Sequence, residues 1–361
     1  MQMSKYIYIV VPKLINSGPV KGAIALYHLL KENHKYVSIV TLKKTYENNL
    51  IVNTQKLKII DLEQEKSFFL KIRKFNSLLA KSPKKNHNIL FSYGFSADLF
   101  VSLFNKKGIT ISSIRGHLNK TYRFDYGIFG KFILYLHMNI LKFFDYHIVM
   151  TEKMSSFLKK YIKKEPIIIG NFIDEKEIEK FRSKLIFNKN YFHFVFIGRL
   201  YHLKNPKLVL NSIFELRKKF NINCYLSFFG EGPLKKNLEK LVKTNNFVEY
   251  VKFYGQVDNP WKLVSDISAL ILPSKTEGIS RSVLEALYLG IPCVLKNVDS
   301  NKELINANNG MIIDNENQLT STILKLITLI EKKHFKKNIL LSKEFREIHC
   351  KKKYLQLISE I

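Results

Sequence analysis

The chain has 361 residues, 46% of them hydrophobic and 25% charged, which suits two globular domains and excludes a largely disordered chain. Its 59 Lys and Arg against 30 Asp and Glu leave a net charge of +29. That surplus fits an anionic partner (nucleic acid, a membrane surface or a phosphorylated ligand), or a compositional bias towards Lys, Asn, Ile, Phe and Tyr. Three cysteines, Cys224, Cys293 and Cys350, make no C-x-x-C pair and no zinc spacing, so reduced thiols in a cytoplasmic protein are expected. The first apolar run, 6–11, is too short for a signal segment, and no stretch approaches the ~20 apolar residues of a membrane span.

In chain order the pattern is strand, loop, helix, repeated. Residues 6–11 read as a strand, 12–21 as a loop with Gly18 and Pro19, and 22–30 as a helix. Strands follow at 37–42 and 58–60, then a helix at 68–80 closed by Pro83. Short β-rich runs at 89–91, 109–112 and 146–150 flank a long helical stretch at 129–144. The rhythm restarts with a strand at 192–197, a helix at 206–219 opened by Pro206, a strand at 224–229, a helix at 234–243 and a strand at 248–254. A strand at 267–272, a helix at 280–289 and a strand from 292 complete it.

Two such runs predict an α/β protein of two Rossmann-like domains, each with a parallel sheet. The predicted boundaries are 1–170 for the acceptor domain, 171–190 for a linker, 191–340 for the donor domain and 341–361 for a C-terminal helix.

Residues 272–287 concentrate the chemistry. A strand ends at Pro273-Ser274, a loop turns at Gly278, and a helix begins. Such a loop lies at the carboxyl end of the sheet, where ligands bind. The helix's first N–H groups, from Ile279, Ser280, Arg281 and Ser282, suit a diphosphate. Arg281 in the first turn opposes the helix dipole by about 0.3–1 kcal/mol unless an anion is bound there. Glu277 and Glu285 are separated by seven residues and can face one cleft. Each carboxylate can accept from two adjacent hydroxyls, so one suits a sugar and the other a ribose. Spacing alone leaves open two ordinary helix glutamates.

The ordered blocks here resemble a known family. Pro273-Ser274-x-x-Glu277-Gly278-x6-Glu285-Ala286, followed by Gly290-Ile291-Pro292, resembles the E-x7-E block of retaining family 4 glycosyltransferases, which have the GT-B fold. Phe196 to Pro206 resembles the G-R-x4-K-N element, Gly230 to Leu234 the G-x-G-P-L turn, Phe253-Tyr254-Gly255 the F-x-G turn, and Asn171 to Asp174 the N-G-[IV]-D element. The resemblance implies two Rossmann-like domains facing across a cleft, with the C-terminal helices returning to the first domain.

It also implies roles. Arg199 and Lys204 neutralise the donor diphosphate, Glu285 holds the ribose, and Glu277 contacts the donor sugar. Gly255 and Val257, with Gly278, Ile279, Ser280 and Arg281, line the donor site. In the first domain Gly18 lies in the family's glycine loop, here altered to Gly18-Pro19, and His117, after Arg115-Gly116, touches the transferring sugar. The catalytic set is then His117, Glu277, Arg199 and Lys204.

The activity implied is transfer of a hexose or N-acetylhexosamine from a nucleotide-diphospho-sugar, UDP favoured, to a lipid-diphosphate-linked glycan in surface-polysaccharide assembly, with retention. No Asp-x-Asp motif is present, so no metal or other cofactor is expected. An anionic membrane surface is a candidate partner, through segments 71–85, 129–142 and 159–164, which places the protein in the cytoplasm or on the inner membrane face. The rival readings are a basic nucleic-acid binder, a dehydrogenase and a non-catalytic relative. They lack, respectively, a recognition motif, a G-x-G-x-x-G turn and any defect in the Glu277/Glu285 and Arg199/Lys204 sets.

Overall fold

A computed structural model describes residues 5–15, 17–43, 57–81, 84–182, 190–298, 300–335 and 338–361. The chain divides into two compact units, Met1–Phe172 with Ile348–Ile361, and Ile173–Glu347.

The first unit runs β1 (Tyr6–Val11), α1 (Gly18–Asn33), β2 (Tyr36–Thr41), β3 (Ile59–Asp61), α2 (Phe68–Leu79), β4 (Asn88–Ser92), α3 (Phe95–Ser102), β5 (Ile109–Ser113), α4 (Leu118–Tyr126), α5 (Gly130–Leu141), β6 (Tyr146–Val149), α6 (Glu152–Leu158) and β7 (Ile167–Ile168). Its seven strands lie in the order β3-β2-β1-β4-β5-β6-β7, and the pairs are parallel. Ile7, Ile9 and Val11 alternate along β1 onto one face, where Leu26 and Leu30 of α1 cover them. The chain order reverses between β1 and β4.

The expected loop at 12–21 is shorter than its composition suggested. Helix α1 begins at Gly18, because Ser17 is the extended N-cap (φ −136°) and Pro19 sits in the first turn, where its missing N–H costs nothing. Helices α3, α4 and α6 were not anticipated. Each has nine residues or fewer, and α4 (LNKTYRFDY) buries only Tyr122. Pro83 lies outside the described residues.

The second unit runs α7 (Glu175–Arg182), β8 (Phe192–Ile197), α8 (Pro206–Lys218), β9 (Cys224–Phe229), α9 (Lys235–Thr244), β10 (Val251–Gly255), β11 (Ala269–Leu272), α10 (Arg281–Tyr288), β12 (Cys293–Lys296), α11 (Asn301–Leu304), β13 (Gly310–Ile313) and α12 (Leu319–Glu331). Its parallel sheet has the order β10-β9-β8-β11-β12-β13, so the order reverses between β8 and β11.

Part of the expected linker is helical. Residues 175–182 form α7, which buries Ile178 and Phe181, while 183–189 lie outside the described residues. The strand expected from 248 starts at Val251, because a turn precedes it in which the Tyr250 and Val251 N–H groups donate to the Phe247 carbonyl.

The last helix, α13 (Glu347–Glu360), belongs to the first unit. Its Cys350, Tyr354, Leu357 and Ile358 join the core of β1 and α1. The three cysteines are free and buried. No helix among the described residues is long and apolar enough to cross a membrane.

Candidate functional site

In an open parallel sheet, ligands bind beyond the carboxyl ends of the strands where the order reverses. In the second unit that place lies between β8 and β11. Its loops are laced together by backbone hydrogen bonds. Gly198 N–H donates to Phe229 O (2.9 Å), Leu200 N–H to Glu231 O (2.9 Å), and Gly230 N–H to Gly255 O (2.7 Å). Gly230 has φ +142°, and a Cβ there would stand 2.0 Å from the Gly198 carbonyl oxygen, so the loops after β8 and β9 close only over a glycine.

After β8 a turn, Lys204 N–H to Tyr201 O at 3.0 Å, brings up Lys204. Asn205 then takes the left-handed conformation (φ 54°), and Pro206 opens α8. The loop after β11 is pinned to this turn by Lys275 N–H donating to Leu203 O (2.7 Å). The two loops meet side chain to side chain as well. The Lys204 ammonium hydrogen-bonds Glu277 Oε1, and the same oxygen accepts from Ser274 Oγ at 2.9 Å. The Glu277 side chain is 9% exposed and that of Lys204 22%, so the pair is largely withdrawn from water.

Helix α10 starts at the same end. Ser280 is its N-cap, Ser280 Oγ and Ser282 Oγ are 3.0 Å apart, and Ser282 Oγ donates to Ile197 O, the last residue of β8, at 3.1 Å. The first-turn N–H groups of a helix have no intrahelical acceptor, so this start is suited to an anion. Gly278 and Ile279, which lead into it, are buried, and the Gly278 carbonyl accepts from Ser300 Oγ. Farther along α10, Glu285 Oε2 accepts the indole N–H of Trp261 at 2.9 Å. Trp261 is buried in a short 3-10 turn, Pro260–Lys262, after β10.

The expected donor residues of this unit are thus unequal. Lys204, Glu277, Gly278, Ile279, Ser280, Arg281 and Glu285 stand on the two joined loops and the helix they lead into. Arg199 is exposed and its guanidinium lies over the Tyr201 ring, 5.0 Å from the centroid. Gly255 ends β10 with φ +71°, close to the Glu231 carboxylate, and Val257 is half-buried just beyond it. Ser300 and Trp261 were missed as supports of the site, and Ser274 was read in the motif without its contact to Glu277. For Trp261 the available signal was that it is the single tryptophan of the chain.

In the first unit, Gly18 is exposed in the first turn of α1. His117 is the N-cap residue of α4, 8% exposed, and lines a small apolar cavity with Ile114, Leu118, Met154 and Phe157. Beside it Arg115 Nη2 donates to Asn171 Oδ1 at 3.0 Å and packs over Tyr93, whose hydroxyl burial pushes well above its usual range. Among the described residues, no group of three or more His, Cys, Asp or Glu side chains is placed to hold a metal ion.

The chain is similar to known proteins in sequence and in fold. Residues 177–340 match the family described as glycosyl transferases group 1. The chain is 31% identical over 175 residues to an α-1,4-N-acetyl-D-galactosaminyltransferase of Campylobacter jejuni, named for a diNAcBac-PP-undecaprenol-linked GalNAc substrate. That match covers 46% of this chain and 48% of the relative, so the chain spans about half of that protein's length. It is 25% identical to the O-antigen biosynthesis glycosyltransferase WclY of Escherichia coli, over 82% of this chain and 89% of WclY. Among solved structures, HepE of Anabaena in complex with UDP superposes with a TM-score of 0.79 over 99% of this chain and all of HepE, at 14% identity. The outer-core galactosyltransferase WaaB superposes at 0.71, at 15% identity, over 99% of this chain and all of WaaB. At that identity these likenesses establish the fold, which is GT-B.

Proposed function

We propose that this chain is a glycosyltransferase of polysaccharide assembly, taking a hexose or N-acetylhexosamine from a nucleotide-diphospho-sugar. The observation that carries the reading is the Lys204–Glu277 pair, held between the loops after β8 and β11 beside the start of α10. A diphosphate there meets one flexible cation and a helix N-terminus, while two carboxylates remain for hydroxyls. The relatives' names supply the class of reaction and the setting of O-antigen and lipid-linked glycans. The UDP in HepE favours a uridine donor.

In this reading Lys204, Arg199 and the α10 amides stabilise the charge that develops on the leaving diphosphate. Glu285 holds the ribose and Glu277 the donor sugar. Gly255 and Val257 border the base, Gly18 the acceptor side, and His117 touches the transferring sugar. Retention follows when the acceptor attacks on the face the diphosphate leaves, a leaving oxygen taking the acceptor's proton. The protein then supplies positioning and positive charge rather than a nucleophile. Transfer is proposed to need no metal ion; activity abolished by EDTA and restored by manganese would overturn that part.

Thermal melting in the presence of UDP, GDP, ADP and CMP tests the donor class. A rise with UDP that Lys204→Ala abolishes is the expected result. No nucleotide response, with no release of sugar from UDP-glucose or UDP-N-acetylglucosamine, would sink the reading.

A further inference from the structure

Asn171 opens the segment that resembles the N-G-[IV]-D element, and its side chain is engaged within the first unit. Asn171 Oδ1 accepts from Arg115 Nη2 at 3.0 Å. Arg115 stands two residues after β5 and two before His117, the N-cap residue of α4. Three other elements close on the same guanidinium. The ring of Tyr93, just after β4, lies 5.7 Å from it, measured to the centroid. The phenol of Tyr354 acts on it from α13, and Tyr354 is wholly buried in the core of β1 and α1. Gly22 of α1 lies against it, where a Cβ would stand 2.7 Å from Arg115 Nη2, so only a glycine leaves room.

Arg115 is half-buried and its Nη1 is fully so, yet among the described residues no carboxylate is one of the groups acting on it. A cation withdrawn from water without an anion is destabilising relative to an apolar side chain of similar size. Packing alone therefore gives no reason for a charge here. The planar fork does give one, because it can bond the Asn171 amide and lie over Tyr93 at once. The loop it anchors has little else to fix it. Gly116 has open space where a side chain would be, and no side-chain hydrogen bond caps α4.

We propose that Arg115 is a positioning residue for His117, and that the last helix of the chain takes part through Tyr354. Asn171, Tyr93, Tyr354 and Gly22 then form one clamp, which sets where the chain turns from β5 into α4 and so where His117 stands. This role rests on the reading in which His117 touches the transferring sugar.

The test uses the full chain and two measurements. One is release of UDP from UDP-glucose or UDP-N-acetylglucosamine. The other is the imidazole resonance of His117 in protein labelled with 13C-histidine, identified by its loss in His117→Ala. Arg115→Lys keeps the charge and loses the fork. Tyr354→Phe keeps the ring and loses the hydroxyl. Gly22→Ala crowds Nη2 while itself favouring the helix. Each should shift the His117 resonance and lower turnover about tenfold or more, with UDP affinity unchanged, since small misplacements of a contact group act on the reacting state. In the His117→Ala background, Arg115→Lys should lower turnover no further, because the two act as a unit. Additive losses, or a His117 resonance that does not move, overturn the positioning role. If His117→Ala alone lowers turnover in that case, the reading of His117 stands. Parent turnover in His117→Ala sinks that reading first, and the positioning role with it. The resonance requires no turnover, so it decides the matter even where neither sugar is released. Early melting with an unmoved resonance assigns the clamp to stability alone.

Discussion

Trp261 donates its indole N–H to Glu285 Oε2 across 2.9 Å, joining the turn after β10 to helix α10. The ribose contact proposed for Glu285 requires its carboxylate to keep one orientation, and this hydrogen bond restrains one of its two oxygens. Trp261 is also buried, so its ring is part of the packing beneath the helix. Trp261→Phe keeps most of that packing and removes only the donor. A hydrogen bond to a charged group is worth about 1.5–3 kcal/mol. The expected result is therefore UDP binding about tenfold weaker or more by calorimetry, with a melting temperature close to that of the parent. Equal loss in Trp261→Phe and Trp261→Ala, with both melting early, would mean that the ring acts by packing alone.

Lys204 and Glu277 lie 73 positions apart in sequence and share a proton donor and an acceptor in the fold. In the absence of ligand each compensates the other, so removing either leaves a half-buried charge behind. Lys204→Ala should weaken UDP binding about 10–100-fold, the magnitude expected for a charge-assisted contact to phosphate. Glu277→Gln should leave UDP affinity within a few-fold and depress turnover of the nucleotide sugar, because its proposed contact is to the sugar. The double variant should fall short of the sum of the two, since residues in one ion pair couple by about 0.5–3 kcal/mol. Strict additivity in a binding cycle would show that the pair does not act as a unit.

From β8 to β12 the second unit was more legible than the first, whereas α7, α11 and α12 on either side of those strands were not anticipated. Strands β8 and β9 lie where their apolar runs stop at Gly198 and Gly230, and α8 begins at the proline that predicted it. These boundaries are set by local backbone chemistry, which sequence displays directly. Helices α3, α4 and α6 are short, and α4 buries a single side chain, so no periodic stripe announces them. β13 was missed for a similar reason, being four residues that follow the asparagine-rich turn ending at Asn309. Within the site, the placing of Glu277 and Lys204 on the loops after β11 and β8 could be read from motif, but their contact with each other could not. The part of Trp261 depends on a turn that brings it against α10 from 24 positions away.

Gly230 tests whether the loops are held by backbone proximity. A methyl group there would stand 2.0 Å from the Gly198 oxygen, at a φ of +142° that side chains rarely adopt. Both the strain and the clash act on the loop that leads to Lys204. Gly230→Ala is expected to cost on the order of several kcal/mol, at the upper end of single substitutions, and to lower the denaturant midpoint. Gly116→Ala, with open space around the new methyl, is the control and should change stability by about 0.5 kcal/mol or less. A Gly230→Ala protein as stable as the control would show that the loop moves freely to admit a side chain.

Asp266 provides a pH-dependent measure of the second unit's stability. Burial raises its carboxyl, but hydrogen bonds from Tyr191 (2.5 Å) and His193 (3.1 Å) outweigh that and hold it below the usual carboxylate range. His193 in turn reaches Ser227 Oγ at 2.8 Å, so the group ties β8 to β9 and to the segment before β11. A carboxyl lowered in the folded state binds its proton more readily in the unfolded chain. Its contribution is therefore complete above the unfolded value, near 3.9, and is lost as pH falls through the lower folded value. Asp266→Asn removes the titration while keeping the shape. The urea midpoint of the parent should exceed that of the variant at pH 7 and pH 5, and the gap should narrow as pH is taken below about 4. A gap that stays constant to pH 3, or widens there, would show that the Tyr191 and His193 contacts do not favour the charged form.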